Sequence, residues 1–214
     1  QRENILPDRR FFTDSNTETF LESNNHSTGI KFDIKVDSTF LINIKPSFKY
    51  GSGNRQFSRD EVSRDQNNVV TNRSETSSFS ENTNRNFRNS LNITKRFGDR
   101  GAFVGFNFDV EFDDSTRDDI LQSETEIFGD SPSGIVRNQF TDDDSDLNSY
   151  FAEVTYRYPI VAKKLFLDAR YSHREDVRTS VESTFDFDPT TQAYTLFNTD
   201  LSTNFSYTNR RSTP

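Results

Sequence analysis

The sequence predicts an all-β protein that forms part of a transmembrane, antiparallel, up-and-down β-barrel. The first observation is a strict alternation in Val104–Phe112, where every second residue is apolar and the others are glycine, polar or charged. Successive side chains of a strand point to opposite faces, so the pattern indicates a strand with one apolar and one charged face. The second observation is that short and long connections between such stretches strictly alternate.

Each predicted strand is justified by the same alternation. It recurs in residues 30–37, 40–50, 150–158 and 165–172, and the apolar face of these stretches carries no charged residue although 28% of the chain is charged. A third strand shows Phe87, Leu91, Ile93 and Phe97 on its apolar face, with Lys95 as a charged exception beside a turn. The coarse prediction is about seven long strands, at residues 17–37, 40–56, 74–97, 102–117, 146–158, 164–180 and 191–208.

The connections between these strands are predicted to be of two kinds. Tight turns lie at residues 37–39, 98–101 and 159–163, whereas long polar loops span roughly 51–84, 113–148 and 173–193. A meander with all tight turns at one end produces this order. It corresponds to the short periplasmic turns and long extracellular loops of outer-membrane barrels.

An apolar sheet face can contact either a partner sheet in a soluble sandwich or lipid in a membrane barrel. Lipid is favoured by the loop asymmetry, by strands longer than the 5–6 residues usual in soluble sheets, and by tyrosines near the strand ends. Those tyrosines are Tyr50, Tyr156, Tyr158 and Tyr171. A lipid-facing charge at the bilayer centre costs about 2–4 kcal/mol, which explains a face without charges.

Composition further restricts the structural and functional classes to which the protein can belong. A chain of 214 residues with 22 Phe and 7 Tyr fits one structured domain, and it contains no run of about 18 apolar residues that could form a membrane helix. The absence of cysteine excludes disulfides and thiolate metal sites. A net charge of −8 argues against nucleic acid as a partner, because phosphate binding needs a basic surface.

Three segments carry a family resemblance. FDIKVDSTFLINIKPSFKYG (residues 32–51) resembles a strand–turn–strand unit of large outer-membrane β-barrel proteins of Bacteroidota. NRNFRNSLNITKRFGDRGAFVGFNFDVEF (84–112) and YFAEVTYRYPIVAKKLFLDARYSH (150–173) resemble the two following hairpins. These proteins are similar to TonB-dependent receptors, which have a plug domain and a 22-stranded barrel. The resemblance implies residence in the bacterial cell outer membrane, contact with outer-membrane lipid, and TonB and a surface lipoprotein as partners.

Against that family pattern, the chain is expected to be an internal fragment. Seven strands are few and odd in number, no plug or TonB box precedes the first strand, and the last residues do not form an aromatic-terminated strand. Residues 1–214 are therefore interpreted as part of a single barrel domain. The plug and the remaining strands would be supplied by the rest of a longer polypeptide or by another chain.

Two sets of polar residues are candidate sites. Asp142, Asp144 and Asp146 share the Asp-x-Asp-x-Asp spacing of Ca²⁺ loops, but the glycine and glutamate that close such loops are missing, so a solvated extracellular loop is the favoured alternative. A second set is expected to face the lumen and could select a solute. It comprises Lys31, Lys35, Lys45, Asp109, Glu111, Arg157, Asp168 and Arg170. Their interspersed signs favour mutual pairing or simple hydration instead.

No catalytic constellation stands out, and the chain is not expected to be an enzyme or to need a cofactor. Ser172 and His173 are adjacent on a strand and so point to opposite faces, which separates nucleophile from base. The first functional hypothesis is a segment of a TonB-dependent-receptor-like transporter for nutrient uptake, driven through a plug outside this chain. The alternatives are a non-transporting barrel that anchors or docks a surface or secretion assembly, and a soluble all-β adhesin.

Overall fold

The computed structural model describes residues 2–6, 9–129 and 131–214, with side chains described from residue 10 onward. Those residues form one antiparallel sheet of ten strands. The strands are β1 (Arg2–Leu6), β2 (Arg9–Gly29), β3 (Phe32–Lys35), β4 (Phe40–Asp65), β5 (Val70–Phe97), β6 (Ala102–Ile127), β7 (Ser133–Val161), β8 (Leu165–Asp188), β9 (Ala193–Phe197) and β10 (Thr203–Thr213).

The sheet is an up-and-down meander. Its order is β1-β2-β4-β5-β6-β7-β8-β10, with β3 continuing the line of β2 beside β4 and β9 lying beside β8. This confirms the predicted all-β class and the antiparallel up-and-down connectivity. The sheet is open, because β1–β2 at one edge and β10 at the other are not paired with each other.

The register places the apolar positions of neighbouring strands on one face. Phe106 of β6 lies opposite Ile93 of β5 and Val154 of β7. The same row continues to Ile42 on β4 and to Tyr171 on β8. Directly opposite residues of an antiparallel pair share a face, so the alternation in the sequence becomes a continuous apolar surface across the sheet.

No described residue covers this apolar surface. Among the residues with described side chains none of the hydrophobic ones is buried, whereas 30 large hydrophobic side chains are exposed. The side chains that are buried are polar, namely Ser63, Asn86, Ser149 and Thr184. The described part of the chain therefore has neither a second sheet nor an enclosed core. It also contains no helix of the length and apolarity needed to cross a membrane.

The prediction of long loops at residues 51–84, 113–148 and 173–193 is wrong. β4 continues to Asp65 and β5 starts at Val70, while β6, β7 and β8 likewise extend through most of the expected loops. Connections are short at both ends of the sheet, so the predicted alternation of short and long connections is absent.

The reason is that these extensions hold together without an apolar face. Backbone ladders run through them, and short hydroxyl side chains bond across the strands, as between Ser74 and Thr125 (2.9 Å) and between Thr141 and Thr184 (3.0 Å). Such Ser- and Thr-rich strands lack the hydrophobic alternation that identifies a strand in a sequence.

The seventh predicted strand, at residues 191–208, is also corrected. It is divided into β9 and β10, because residues 198–202 leave the sheet line and fold over Thr184. The amide of Asn198 donates to the Thr184 carbonyl (2.8 Å), and the Ser202 hydroxyl accepts from the Thr184 amide (2.9 Å). β10 then pairs with residues 172–182 of β8.

Two tight turns follow the predicted positions, near residues 37–39 and 98–101, whereas the third lies at residues 162–164, because β7 continues to Val161. In the first, the Asp37 carboxylate accepts hydrogen bonds from the Thr39 amide (2.6 Å), the Thr39 hydroxyl (2.7 Å) and the Lys95 ammonium (3.1 Å). These bonds, those from Thr39 first, hold the pKa of Asp37 well below its usual range. The bond from Lys95 also explains how a lysine sits on the apolar side, since its long chain reaches the turn.

Gly101 is the turn position where a side chain is least tolerated. Its φ of +97° is unfavourable for any residue with a Cβ, and a Cβ there would lie 2.9 Å from Cε1 of Phe166. Gly98 in the same turn has φ +59° with open space around it. We predict that Gly101→Ala lowers the free energy of unfolding by more than the roughly 1–2 kcal/mol of left-handed backbone strain expected for Gly98→Ala.

Urea titration followed by circular dichroism compares these two variants. Equal losses for both would show that the Phe166 ring moves aside without cost and that only backbone conformation matters at this turn.

Candidate functional site

The first surface of interest is the apolar belt on one face of the sheet. We define it as the apolar positions of that face nearest the tight turns, which are Phe32 and Ile34 of β3, Phe40, Ile42, Ile44 and Phe48 of β4, Phe87, Leu91 and Ile93 of β5, Ala102, Val104, Phe106, Phe108, Val110 and Phe112 of β6, Tyr150, Ala152, Val154, Tyr156 and Tyr158 of β7, and Leu165, Leu167, Ala169 and Tyr171 of β8.

The belt is short compared with the strands that carry it. On β6 it spans Ala102–Phe112, whereas the strand is 26 residues long. At about 3.3 Å per residue, the belt is about 36 Å long and the strand about 86 Å. Beyond the belt the same face becomes polar within two residues, as Phe112 is followed by Asp114.

The belt is slanted relative to the hydrogen-bonding direction. We call the edge of the belt farther from the tight turns the upper edge. On β4 the belt's upper edge is Phe48, and the residue in register with Phe48 on β8 is Val177. The belt on β8, however, ends at Tyr171, six residues closer to the tight turns. The lower edge is displaced in the same direction. On β4 this edge is Phe40, which is in register with Ala169 on β8. The belt on β8 continues four residues beyond Ala169 toward the tight turn, to Leu165.

Over four strand-to-strand steps, these displacements amount to between 1 and 1.5 residues per strand. With strands about 4.8 Å apart and about 3.3 Å per residue, a belt of constant height would require strands tilted by about 35–46°.

Aromatic rings border the belt at both edges. Phe87 and Phe112 stack at 6.1 Å between ring centroids, and Tyr150 meets Phe112 edge-on at 5.8 Å. At the turn end, Tyr156 and Tyr158 lie 6.5 Å apart. The predicted tyrosines thus lie near both edges of the belt.

The second surface is the ionic face, opposite the belt, where some charges are paired across strands and others between alternate residues of one strand. The Arg88 guanidinium donates to Glu111, which also accepts from the Asn86 amide (3.0 Å). The Arg174 guanidinium binds both oxygens of Asp176 at 3.0 and 2.9 Å.

Ser149 joins the Arg174–Asp176 pair at the centre of the face and lies opposite Glu111 in the register. Its hydroxyl donates to Asp176 (2.5 Å) and accepts from Arg174 (3.1 Å), and the residue is 6% exposed. Arg88, Ser149, Arg174 and Asp176 were not among the predicted site residues. Arg88 could have been found from the alternation of its strand, whereas Arg174 and Asp176 lay where the predicted strand 164–180 overlaps the predicted loop 173–193.

Near the tight turns the ionic face carries an arginine held between aromatic rings. Arg157 binds both oxygens of Asp168 at 2.7 Å, and its guanidinium carbon lies 5.2 Å from the Phe103 ring centroid and 5.1 Å from that of Phe166. A bidentate pair with two cation–π contacts fixes the side chain in one orientation.

The remaining predicted lumen residues are placed on this same face, some paired and some not. Lys31 binds Asp33 (2.6 Å), and Arg170 lies 3.7 Å from Glu153, which in turn accepts from Asn107 (3.1 Å). Three of the predicted residues have no hydrogen bond or ion pair with any described side chain, namely Lys35, Lys45 and Asp109. The expectation of general pairing therefore holds for only part of the set.

The predicted Ca²⁺ residues lie in a strand and not in a loop. Asp142, Asp144 and Asp146 occupy alternate positions of β7 and so share one face. Asp118 and Asp114 on β6 lie directly opposite the first and last of them. We call these five residues the acidic column. No group of three or more acidic or histidine side chains among the described residues is arranged to hold a metal ion.

Like charges directly opposite each other destabilise a strand pair. Partial burial, and then the charges of Asp144, Asp118 and Asp143, raise the pKa of Asp142 above its ordinary value. The acidic column therefore stores electrostatic repulsion. The Ca²⁺ site remains a prediction.

His173 contacts a serine other than its neighbour in sequence. Its Nδ1 lies 2.9 Å from the hydroxyl of Ser212 on β10, while Ser172 lies on the opposite face, paired in register with Glu153. Nucleophilic catalysis also needs a third group that orients the base. The other ring nitrogen of His173 has no hydrogen-bond partner among the side chains that the structure describes.

No family model matches this chain, and no curated protein matches it.

We predict that Asp142→Asn raises the free energy of unfolding at pH 7 by about 0.2–1 kcal/mol, because it removes repulsion within the acidic column. A carboxyl whose pKa is higher in the folded state makes stability fall as pH rises through the interval between its two pKa values. The gain in the free energy of unfolding should therefore vanish below pH 3.8, which is the ordinary pKa of an aspartate. Urea titrations between pH 3 and 7 measure it.

Asp119→Asn is the matched control, since Asp119 accepts from Arg117 at 2.9 Å and its replacement should be neutral or destabilising at pH 7. If Asp142→Asn instead lowers stability, and does so only in buffer containing Ca²⁺, the column binds the metal and the repulsion account is wrong.

Proposed function

We propose that this chain is a wall segment of an outer-membrane β-barrel, similar to the barrel of TonB-dependent receptors, and serves nutrient uptake. The apolar belt contacts the hydrocarbon of the outer membrane, and the ionic face lines a water-filled lumen. Solute is captured at the polar end of the sheet and passes along the ionic face, with energy delivered through a plug outside this chain.

The single observation that carries the proposal is the uncovered apolar belt. The largest apolar patch of a soluble monomer is usually about 300–600 Å². This sheet exposes 30 large hydrophobic side chains and buries none of those described. Twelve of the 30 lie in the belt, which extends over six strands. Lipid is a solvent in which such a face is stable.

The dimensions of the belt support the same proposal. A transmembrane strand needs about 9–11 residues at a tilt near 45°. The belt spans Ala102–Phe112 on β6 and Tyr150–Tyr158 on β7, and its slant corresponds to a tilt of about 35–46°. Strands of outer-membrane barrels are tilted by about 35–45°, with an apolar band about 25 Å tall and aromatic girdles at both edges.

Because the sheet is open, the proposed barrel needs further strands to close it. Unpaired backbone groups at a sheet edge are not tolerated in hydrocarbon. Both β2 and β10 have such edges in the described part of the chain. The proposed barrel therefore includes further strands, from a longer polypeptide or from another chain.

A second candidate, a non-transporting barrel that docks a surface assembly, is favoured by one observation. β6 continues for 15 residues beyond the belt, to Ile127, as regular strand rather than as a loop. With its neighbours it forms a stiff polar platform of about 50 Å, which is suited to a protein partner. A plug in the full protein would favour uptake over docking. For the third candidate, a soluble adhesin, a separate protein layer would have to cover the belt.

We predict that Leu91→Lys, at the centre of the belt, prevents stable insertion, whereas Asn92→Lys leaves it intact. A lysine facing lipid near the bilayer midplane costs about 2–4 kcal/mol, while the adjacent position faces the lumen. Co-flotation with phospholipid vesicles, together with protection of the belt from protease, measures insertion of both variants, each carried in the complete barrel.

Equal insertion of the two variants would contradict a lipid-facing belt. Failure of the complete barrel that contains this unmodified chain to associate with vesicles, together with its solubility without detergent, would contradict the membrane assignment itself.

A further inference from the structure

The geometry points to a binding pocket on the ionic face for a small zwitterionic solute of the amino-acid or short-peptide class, held between Lys45 and Asp109. This inference rests on the proposed function, because it needs the ionic face to be accessible to water and to solutes. It adds to that function a class of ligand and the two residues that would select it.

The pocket is a concavity of about 360 Å³ on the ionic face. One row of the sheet runs along it, in which Lys45 on β4 lies opposite Ser90 on β5, Ser90 opposite Asp109 on β6, and Asp109 opposite Phe151 on β7. The volume lies within the range of about 300–1,000 Å³ that is usual for small-molecule sites.

The charged walls of this pocket are already neutralised. Arg88 and Glu111 bind each other, and Arg174 is turned toward Asp176 and Ser149. Because these groups satisfy one another, a ligand would gain little by replacing their bonds.

Lys45 and Asp109 are different, since neither makes a hydrogen bond or ion pair with a described side chain. Lys45 is exposed and Asp109 is half-buried. They are two strands apart, which separates their backbones by about 9.6 Å and leaves Ser90 between them. Lys45 interacts electrostatically with Asp33, and Asp109 with Arg174, but neither charge has a bonded partner among the described side chains. Two such charges of opposite sign on the same pocket floor form a dipolar site.

The complement of a dipolar site is a molecule with a carboxylate and an ammonium group. Its carboxylate would meet the Lys45 ammonium, and its ammonium group the Asp109 carboxylate. The Phe151 ring, next to Asp109 in the row, offers an apolar surface to a side chain of the solute. Charge-assisted hydrogen bonds at both ends would fix the orientation of such a solute.

The dipeptide Ala-Leu is a suitable ligand for the test, with N-acetyl-Ala-Leu amide as its uncharged counterpart. Binding to the full chain in detergent micelles is measured by isothermal titration calorimetry. We expect the free dipeptide to bind, and blocking both termini to weaken binding by roughly tenfold or more, since each end loses a charge-assisted bond.

Lys45→Gln and Asp109→Asn are each expected to weaken dipeptide binding by roughly tenfold or more. Lys49→Gln is the matched control, because Lys49 is on the same strand and the same face but outside the pocket, and it too lacks a described partner. It should leave binding unchanged. The circular dichroism spectrum of each variant confirms that it is folded.

The inference is overturned if the blocked and free dipeptides bind equally, if neither binds, or if Lys49→Gln weakens binding as much as Lys45→Gln. Tighter binding of an uncharged disaccharide than of the dipeptide would also overturn it. These failures leave vesicle insertion unaffected. Failure of the proposed function, in contrast, appears as loss of insertion, whatever the titration shows.

Discussion

The register of the antiparallel ladder is the constraint on which the rest of the structure depends. A period of two along each strand sorts side chains onto two faces, but only the register between strands makes those faces continuous. A slip of one residue between β5 and β6 would place Ile93 beside Asn107 instead of Phe106, and the belt would be interrupted by amides and carboxylates. Long ladders with few irregularities hold the register, with shifts only near Arg64 in β4–β5, near Pro159 in β7–β8, and near Phe187 in β8–β9.

This constraint separates two kinds of stabilisation within the same strands. Near the tight turns, the ladder is combined with an apolar belt that gains free energy only when something apolar covers it. Beyond the belt, a local aromatic cluster contains Phe140, Phe185 and Phe197. Hydroxyl pairs, such as Thr76 with Ser123 (3.1 Å), and ion pairs, such as Arg85 with Asp114 (3.4 Å), also join the strands there. Exposed pairs of this kind contribute little each, so the polar extensions rely mainly on the backbone ladder.

The sequence was sufficient to predict the belt, because burial against any apolar medium leaves a clear alternation of Phe, Val and Ile against charged residues. The tight turns were predictable for a similar reason, since Gly98 and Gly101 have positive φ values and Asp37 supplies a capping carboxylate. The polar extensions were not predictable. Residues 113–148 contain Asp, Ser and Thr in no periodic order, and their strand conformation follows from partners distant in sequence.

The candidate site was only partly predictable for the same reason. Lys45 and Asp109 could be assigned to the ionic face from alternation alone, but which charges remain unpaired depends on cross-strand neighbours. Arg88, for instance, binds Glu111 because β5 and β6 are in one particular register. A single sequence does not specify that register.

The chain has no cysteine, so a single spin label can be placed at each position from 104 to 112 in turn. Accessibility of these labels to oxygen, which dissolves in lipid, and to a water-soluble nickel chelate tests the central claim most directly in reconstituted vesicles. The account predicts that oxygen accessibility peaks at the even positions and chelate accessibility at the odd positions. High chelate accessibility at Phe106 and Phe108, or low accessibility to both reagents there, would show that lipid does not cover the belt.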